Sequence, residues 1–206
     1  MIVAPLDPID VDEVVAVLCD AFHDYPVMRF VLGAEDPEFA RRLPVLIGLF
    51  VRARVARQDP VEGARDAAGR LVGVATLTRP GDVAAPASFA AFREETWAAL
   101  GAAERARYEA FAAAGDRSVI PGPHYYLNML GVRRGHAGQG IGGRLLAAVH
   151  ARSLADPASA GVALSTEDPA NVPLYEHAGY RVLARRRVSP GLETWSLWRP
   201  DGGVSS

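Results

Sequence analysis

Lysine is missing from the 206-residue chain: all 22 basic side chains are arginines. That excludes a nucleotide-binding loop of the Gly-Lys-Ser/Thr type, a Schiff-base lysine and a lysine general base. Cysteine is nearly missing as well, since Cys19 stands alone. One thiol makes no internal disulfide and no Cys-based metal site, so no metal is expected and the composition fits a reducing cytoplasm. Cys19 itself reads as a small buried hydrophobe within a helix. No stretch approaches 18 uninterrupted apolar residues, and the N-terminal MIVAPLDPIDVDEVV has neither the basic nor the apolar region of a secretory signal, so no membrane partner is expected. A net charge of −2 supplies no global positive field for a polyanion, and no nucleic-acid partner is expected.

Half of the residues are apolar and 22% are charged, enough for one domain over residues 1–200 with its own core; residues 201–206 are expected to fray. The wealth of Ala, Gly, Pro and Arg suggests a GC-rich gene. Residues 1–4 can form a short strand. Asp10 with Glu13 makes a capping-box-like start for a helix carrying Val11, Val14, Val15, Leu18 and Phe22 on one face. Asp36-Pro37-Glu38 reads as a second start, with Phe39, Leu43, Leu46, Ile47 and Phe50 on one face and Pro44 kinking the helix or delaying its onset. Arg52, Arg54 and Arg57 read as its solvated end, with no catalytic role.

Residues 61–79 read as a β-hairpin turning at 66–69. Residues 80–122 look like a helical insertion of two Ala-rich helices carrying Phe89, Phe92, Trp97, Leu100, Tyr108 and Phe111. Those aromatics are expected to pack into the core, with a lid or an acceptor-pocket wall as the alternative. Residues 124–132 form a strand-like run, a glycine-rich loop follows, and Ile141, Leu145, Leu146 and Val149 mark a helix ending near Ala155. A strand at 161–165, a short helix at 169–178 and a closing hairpin of 181–188 with 192–198 complete the chain.

The loop Arg133-Arg134-Gly135-His136-Ala137-Gly138-Gln139-Gly140-Ile141-Gly142-Gly143 is the informative element. Several glycines before a helix let the backbone approach a ligand, while the helix start offers free amides and a positive dipole end: a phosphate cradle. A dinucleotide fingerprint, Gly138-x-Gly140-x-x-Gly143, is formally present. It falls two-thirds of the way along the chain, however, where a doubly wound sheet should already be under way, and Glu167 lies past the end of the next strand. A glycine turn that only packs a helix on a sheet would not need so many flexible positions.

The wider pattern is Leu130-Gly131-Val132, then Ala137-Gly138-Gln139-Gly140-Ile141-Gly142, then Asn171-Val172-Pro173-Leu174-Tyr175-Glu176-His177-Ala178-Gly179-Tyr180. It resembles the acyl-CoA signature of the GNAT superfamily of N-acetyltransferases, from about residue 124 to 182. The segment Ala21-Phe22-His23-Asp24-Tyr25-Pro26 is similar to a bacterial subgroup that includes puromycin N-acetyltransferase. The resemblance implies a mixed α/β (α+β) fold: a mostly antiparallel sheet with a splayed central parallel pair and helices on both faces. It implies acetyl-CoA as co-substrate. The implied activity is transfer of an acetyl group to the primary amine of a small molecule, directly and in a ternary complex, by a monomer or homodimer. Two rival readings are a non-catalytic acyl-CoA sensor and a protein N-acetyltransferase.

Carried over by position, the amides of Gly138, Gly140, Gly142, Gly143 and Arg144 would cradle the pyrophosphate, beside Gly131, Arg133 and Ala137. The main chain of Val132 would bond the pantetheine arm, and the Leu130 N–H would face the thioester oxygen. Tyr175 matches the general acid, and Asn171 would orient the cofactor or cap the short helix. Glu167 joins Tyr175 and Leu130 as a catalytic candidate. For the base, His124, Asn128, Glu167, the His23–Asp24 pair and a water relay all remain open. The family usually has Arg or Gln where Ala137 stands, a place that Arg133 or Arg134 would then fill. Relatives in the subgroup carry an acid at the position of Ser165, whereas here the acid comes at Glu167. Asp7, Asp10, Asp12, Asp20 and Asp24 would favour a cationic amine, or simply be solvated helix-start charges.

Overall fold

Seven runs of β-forming residues pair into one sheet. In the computed structural model, which describes residues 1–33, 37–81, 84–115 and 117–202, these are β1 (Ile2–Pro5), β2 (Val61–Arg65), β3 (Leu71–Thr78), β4 (Tyr125–Val132), β5 (Gly161–Thr166), β6 (Arg181–Ser189) and β7 (Leu192–Pro200). Their order is β1-β2-β3-β4-β5-β7-β6, and every neighbouring pair is antiparallel except β4 with β5. The helices are α1 (Val11–Phe22), α2 (Pro26–Leu32), α3 (Phe39–Ala56), α4 (Ala87–Leu100), α5 (Ala102–Ala114), α6 (Ile141–Ala155) and α7 (Val172–His177). None among the described residues is long and apolar enough to cross a membrane.

Helices cover both faces of the sheet. On one, Val14 and Leu18 of α1 and Leu46 and Ile47 of α3 bury against Val74 and Met129. On the other, Ile141, Leu145 and Val149 of α6 bury against Leu127, Val162 and Leu164. Each such side chain contributes roughly 1.5–3 kcal/mol on leaving water. Asp10 caps α1 by accepting the Glu13 N–H at 3.0 Å. The reciprocal half of a capping box is not made, because Glu13 is used elsewhere. Its carboxylate takes two bonds from Arg65, at 3.0 and 2.8 Å, and the Leu71 amide at 3.2 Å. This pins α1 to the β2–β3 hairpin.

Helix α2 was not foreseen. Seven residues are too few to show a helical period, although Pro26 stands at its first position, where a missing N–H costs nothing. Helix α3 begins at Phe39 and includes Pro44, so Pro44 does not delay its start. Asp36, part of the expected start, lies outside the described residues, as do the last four of the tail. In the 80–122 segment Trp97 and Leu100 are buried, while Phe89, Phe92, Tyr108 and Phe111 pack partly against the same core.

One irregularity shapes the sheet centre. Thr76 of β3 opposes Met129 and Leu77 opposes Leu127, leaving Asn128 unopposed as a β-bulge. A bulge bends its strand and flips the side-chain alternation. Accordingly Leu127 packs on the α6 side, Met129 on the α1 side, and Asn128 and Met129 both face the α1 layer. The parallel ladder stops here too: β4 meets β5 only at Tyr125–Val162, Tyr126–Ala163 and Leu127–Leu164. Beyond Leu127 the two strands part.

Candidate active site

The parting strands leave one edge of β4 without a β5 partner from Asn128 to Val132. Which groups line that edge follows from strand alternation. Arg133 donates its N–H to Val72 of β3 at 2.8 Å, so Gly131 and Met129 also turn towards β3. The main-chain groups of Leu130 and Val132 therefore turn into the gap. Gly131 has a packing reason of its own: a Cβ there would lie 2.9 Å from the Ala21 Cβ and 3.0 Å from Leu18 Cδ2, so only glycine lets α1 cross β4 this closely.

The gap opens towards the start of α6. Gly138 and Gly140 both adopt positive φ, 76° and 71°, which L side chains rarely do, and Gly140 is the left-handed N-cap of α6. A Cβ added at Gly138, Gly140 or Gly143 would meet nothing within 4 Å, so the loop borders open space. Helix geometry leaves the amides of Ile141, Gly142 and Gly143 without an i−4 carbonyl, at the positive end of the dipole. The Arg144 amide instead closes the first turn on the Gly140 carbonyl at 3.2 Å. Ala137 is exposed. Neither neighbouring arginine reaches into its place. Arg133 Nε donates to the Leu71 carbonyl at 3.1 Å, and Arg134 binds Asp24 at 3.1 Å while its amide donates to Asp20 at 2.7 Å.

On the α1 face the gap continues into a cavity where Glu167, Tyr175, Asn171, Asn128, Leu130 and Tyr25 meet. Glu167 follows β5 directly and is only 6% exposed. Its Oε1 accepts the Thr194 hydroxyl of β7 at 2.8 Å, and its amide donates to the Tyr25 hydroxyl at 3.0 Å. Burial pushes the Glu167 carboxyl above the usual carboxylate range, although the Thr194, Tyr25 and Ser165 hydroxyls pull it back. Burial, and then the charge of Glu167, pushes the Tyr175 phenol up to about 12. The pair thus holds a carboxylate made more basic beside a phenol kept protonated, a base and an acid on one cavity. Asn171 does not cap α7: its Nδ2 donates to Thr166 Oγ1 at 3.2 Å, and capping of the preceding turn falls to Asp168, which accepts the Ala170 amide at 2.9 Å.

Two other base candidates lie elsewhere. His124 precedes β4, at the end opposite the gap, with its Nδ1 on the Gly122 carbonyl at 2.8 Å and its ring against Trp198. The His23–Asp24 pair is exposed, and the Arg29 guanidinium holds the Asp24 carboxyl down at about 2. Nor are the N-terminal acids a free anionic patch, since Asp20 and Asp24 pair with Arg134 and Asp12 with Arg52.

Arg54 and Arg57, at the end of α3, correct the expectation of a solvated helix end, whereas Arg52 keeps to it with a half-exposed side chain near Asp12. Arg54 and Arg57 close on Asp59, whose side chain is fully buried, at 3.9 and 3.1 Å, and Arg79 joins them at 3.5 Å. Arg54 also bonds Thr78 and lines the cavity. The i, i+4 spacing from Phe50, which shares that lining, was the sequence signal for it. Tyr25 carried no comparable signal, because its partners lie 141 and 142 positions away.

A family model described as Acetyltransferase (GNAT) domain matches residues 55–182, from the end of α3 through the start of β6. The chain belongs to the GNAT acetyltransferase family. Among solved structures, one titled histone acetyltransferase HPA2 and related acetyltransferase, from Corynebacterium glutamicum, superposes with a TM-score of 0.70 at 24% identity, covering 99% of this chain and 98% of that one. The ribosomal-protein-S18-alanine N-acetyltransferase of Escherichia coli gives 0.58 at 13% identity, over 100% and 96%. Naa20 of Chaetomium thermophilum, bound to a bisubstrate analogue, gives 0.54 at 13% identity, over 97% and 86%. At these identities the likeness is one of fold; family membership rests on the matched domain and makes this GNAT protein an acetyl-CoA-dependent N-acetyltransferase.

Proposed function

We propose that this GNAT enzyme moves the acetyl group of acetyl-CoA to the primary amine of a small molecule, directly and within a ternary complex. The observation that carries the reading is the single cavity where the unpaired edge of β4, the buried Glu167 and Tyr175 converge. The open glycine loop and the α6 amides fit the diphosphate of the donor, and the Val132 main chain fits its pantetheine arm as a strand would. Acetyl-CoA supplies an activated acyl carbon. Glu167 takes one proton from the acceptor ammonium, the free amine attacks the acyl carbon, and the Leu130 N–H stabilises the negative charge that builds on the acyl oxygen; as the C–S bond breaks, Tyr175 protonates the departing sulfur. The second proton of the new amide nitrogen passes through water to reload the phenol.

A small acceptor is favoured because Tyr108 and Phe111 of α5 wall the cavity from above, where a peptide acceptor needs an open groove. The similarity of residues 21–26 to the puromycin N-acetyltransferase subgroup points the same way. The test is thiol release from acetyl-CoA across a panel of small amines and N-terminal peptides. Release with peptides alone would overturn the small-molecule assignment. A stable acetylated protein after incubation with acetyl-CoA alone would overturn direct transfer.

A further inference from the structure

Asn128, at the bulge of β4, lines the catalytic cavity and is half-buried there. Its side-chain amide is held on two sides: Nδ2 donates to the Tyr126 carbonyl at 2.9 Å and to Thr78 Oγ1 at 3.0 Å. A carbonyl oxygen that close is met only by a donor, so the Tyr126 contact fixes which way round the amide stands. An amide nitrogen carries two hydrogens, and both are spent. What Asn128 has left to offer a ligand is its carbonyl oxygen. Among the described residues only the Thr78 hydroxyl approaches that atom, and at 3.4 Å it stands outside the range of about 2.5–3.0 Å usual for an O–H···O bond. Thr78 is fixed from behind in its turn, because Arg54 donates to the same hydroxyl and lies against Asp59, whose side chain is fully buried. The oxygen is thus held in place by a network that reaches the protein interior, with acceptor capacity unused.

A group that accepts and cannot donate selects its partner. It gives nothing to an oxyanion, which needs a donor, and a neutral amide takes no proton, so Asn128 is neither an oxyanion site nor the base. It fits an N–H, and position along β4 decides whose. In the reading above the donor's arm runs from the glycine loop past Val132 and presents its thioester at Leu130. Asn128 stands two residues further from that loop, roughly 6–7 Å along the strand, where the donor has ended and the acceptor begins. We propose that Asn128 Oδ1 holds the acceptor nitrogen. It accepts one N–H of the ammonium while Glu167, on the same cavity, removes the proton of another; the amine so formed keeps its bond to Asn128, and its freed lone pair is aimed at the acyl carbon. Asn128 acts by orientation, with no proton changing hands. The assignment rests on the acetyltransferase reading above and adds to it the contact that orients the nucleophile.

The experiment compares the wild type with Asn128→Leu, a side chain of similar size without polar atoms, by thiol release from acetyl-CoA. Benzylamine is the acceptor, and ammonia is a second amine small enough for any amine site. The expected result is a loss of about tenfold or more in kcat/KM for the amine, the size of effect a hydrogen bond to a charged group gives. The KM for acetyl-CoA and the calorimetric Kd of CoA should stay within twofold. That split separates contact with the acceptor from a packing role, because a side chain that only props the bulge would disturb the β4 edge, and the donor's constants would move with the amine's. Equal losses on both substrates, or no loss on either, would overturn the inference while leaving the acetyltransferase reading in place. Should the variant fail to fold, a crystal structure of the wild-type protein with CoA and benzylamine decides: the amine nitrogen within about 3.2 Å of Asn128 Oδ1 supports the assignment, and a nitrogen seated away from that atom overturns it. Absence of thiol release with both amines would overturn the acetyltransferase reading, and this assignment with it.

Discussion

The amide of Glu167 donates to the hydroxyl of Tyr25 at 3.0 Å, across 142 residues of chain. The same hydroxyl lies 3.0 Å from Thr166 Oγ1. One phenol at the α1–α2 junction therefore fixes the exit of β5, and with it the carboxylate that borders the cavity. Tyr25→Phe should lower kcat about tenfold while acetyl-CoA affinity stays within twofold, since the lost hydrogen bond is worth roughly 0.5–1.5 kcal/mol. Steady-state kinetics beside CoA calorimetry reads both quantities.

Glu167→Gln should cost about 10²–10⁴-fold in kcat/KM, the usual range for a general base. Its effect on stability runs the other way. The folded carboxyl holds its proton above the ordinary value of 4.5, so between those two values the folded state binds more protons than the unfolded one and stability falls as pH rises. The glutamine variant lacks that decline and should melt at an equal or higher temperature at pH 8. A lower melting temperature there would contradict the assignment.

Tyr175→Phe should remove most turnover at neutral pH and leave CoA binding nearly unchanged. The wild-type rate should not fall with rising pH until near the phenol's raised value of about 12. Unchanged turnover in the phenylalanine variant would make Tyr175 a packing residue and assign the proton for the departing sulfur to another group.

Two glycines separate binding from folding. Gly140→Ala places a side chain at a left-handed φ of 71° facing open space, so it should cost about 1–2 kcal/mol and weaken CoA binding as the loop shifts. Gly131→Ala drives a methyl into Ala21 and Leu18 and should destabilise by about 1–3 kcal/mol. Urea denaturation and CoA titration of both variants provide the comparison.

His150, on α6, has its Nε2 3.0 Å from the Tyr180 hydroxyl, and burial holds the imidazole down at about 4 against an ordinary 6.5. It folds neutral, whereas the unfolded chain protonates it at 6.5. Its contribution to stability is thus complete above that value and lost as pH falls towards 4. Melting temperatures from pH 7.5 to 4.5 should drop less steeply in His150→Gln than in the wild type.

Much of the framework was legible because it rests on local patterns. The hairpin of β2 and β3, the strand β4, the glycine loop and α6 each carry a period or a turn signal within about 15 residues. The parallel β4–β5 pair, by contrast, came from family resemblance and not from periodicity. What stayed hidden depends on contacts between distant segments. Helix α2 is too short to show a period, and Arg54 sits in a run of arginines that resembles an ordinary helix end until Asp59 folds beneath it. Local sequence could nominate Glu167 but not distinguish it from His124, because that choice depends on which end of β4 parts from β5. The bulge at Asn128, where the parting begins, is a mismatch between two strands and has no counterpart in either one alone.

A ladder that closes over three residue pairs and then stops leaves the middle of the molecule unzipped. If the donor's arm completes the missing rungs, occupancy becomes part of the architecture: a ligand at a hundred times its Kd adds about 2.7 kcal/mol to the folded state. The enzyme's tolerance of heat would then follow how well fed the cell is, rising when acetyl-CoA is plentiful and sagging when it runs short.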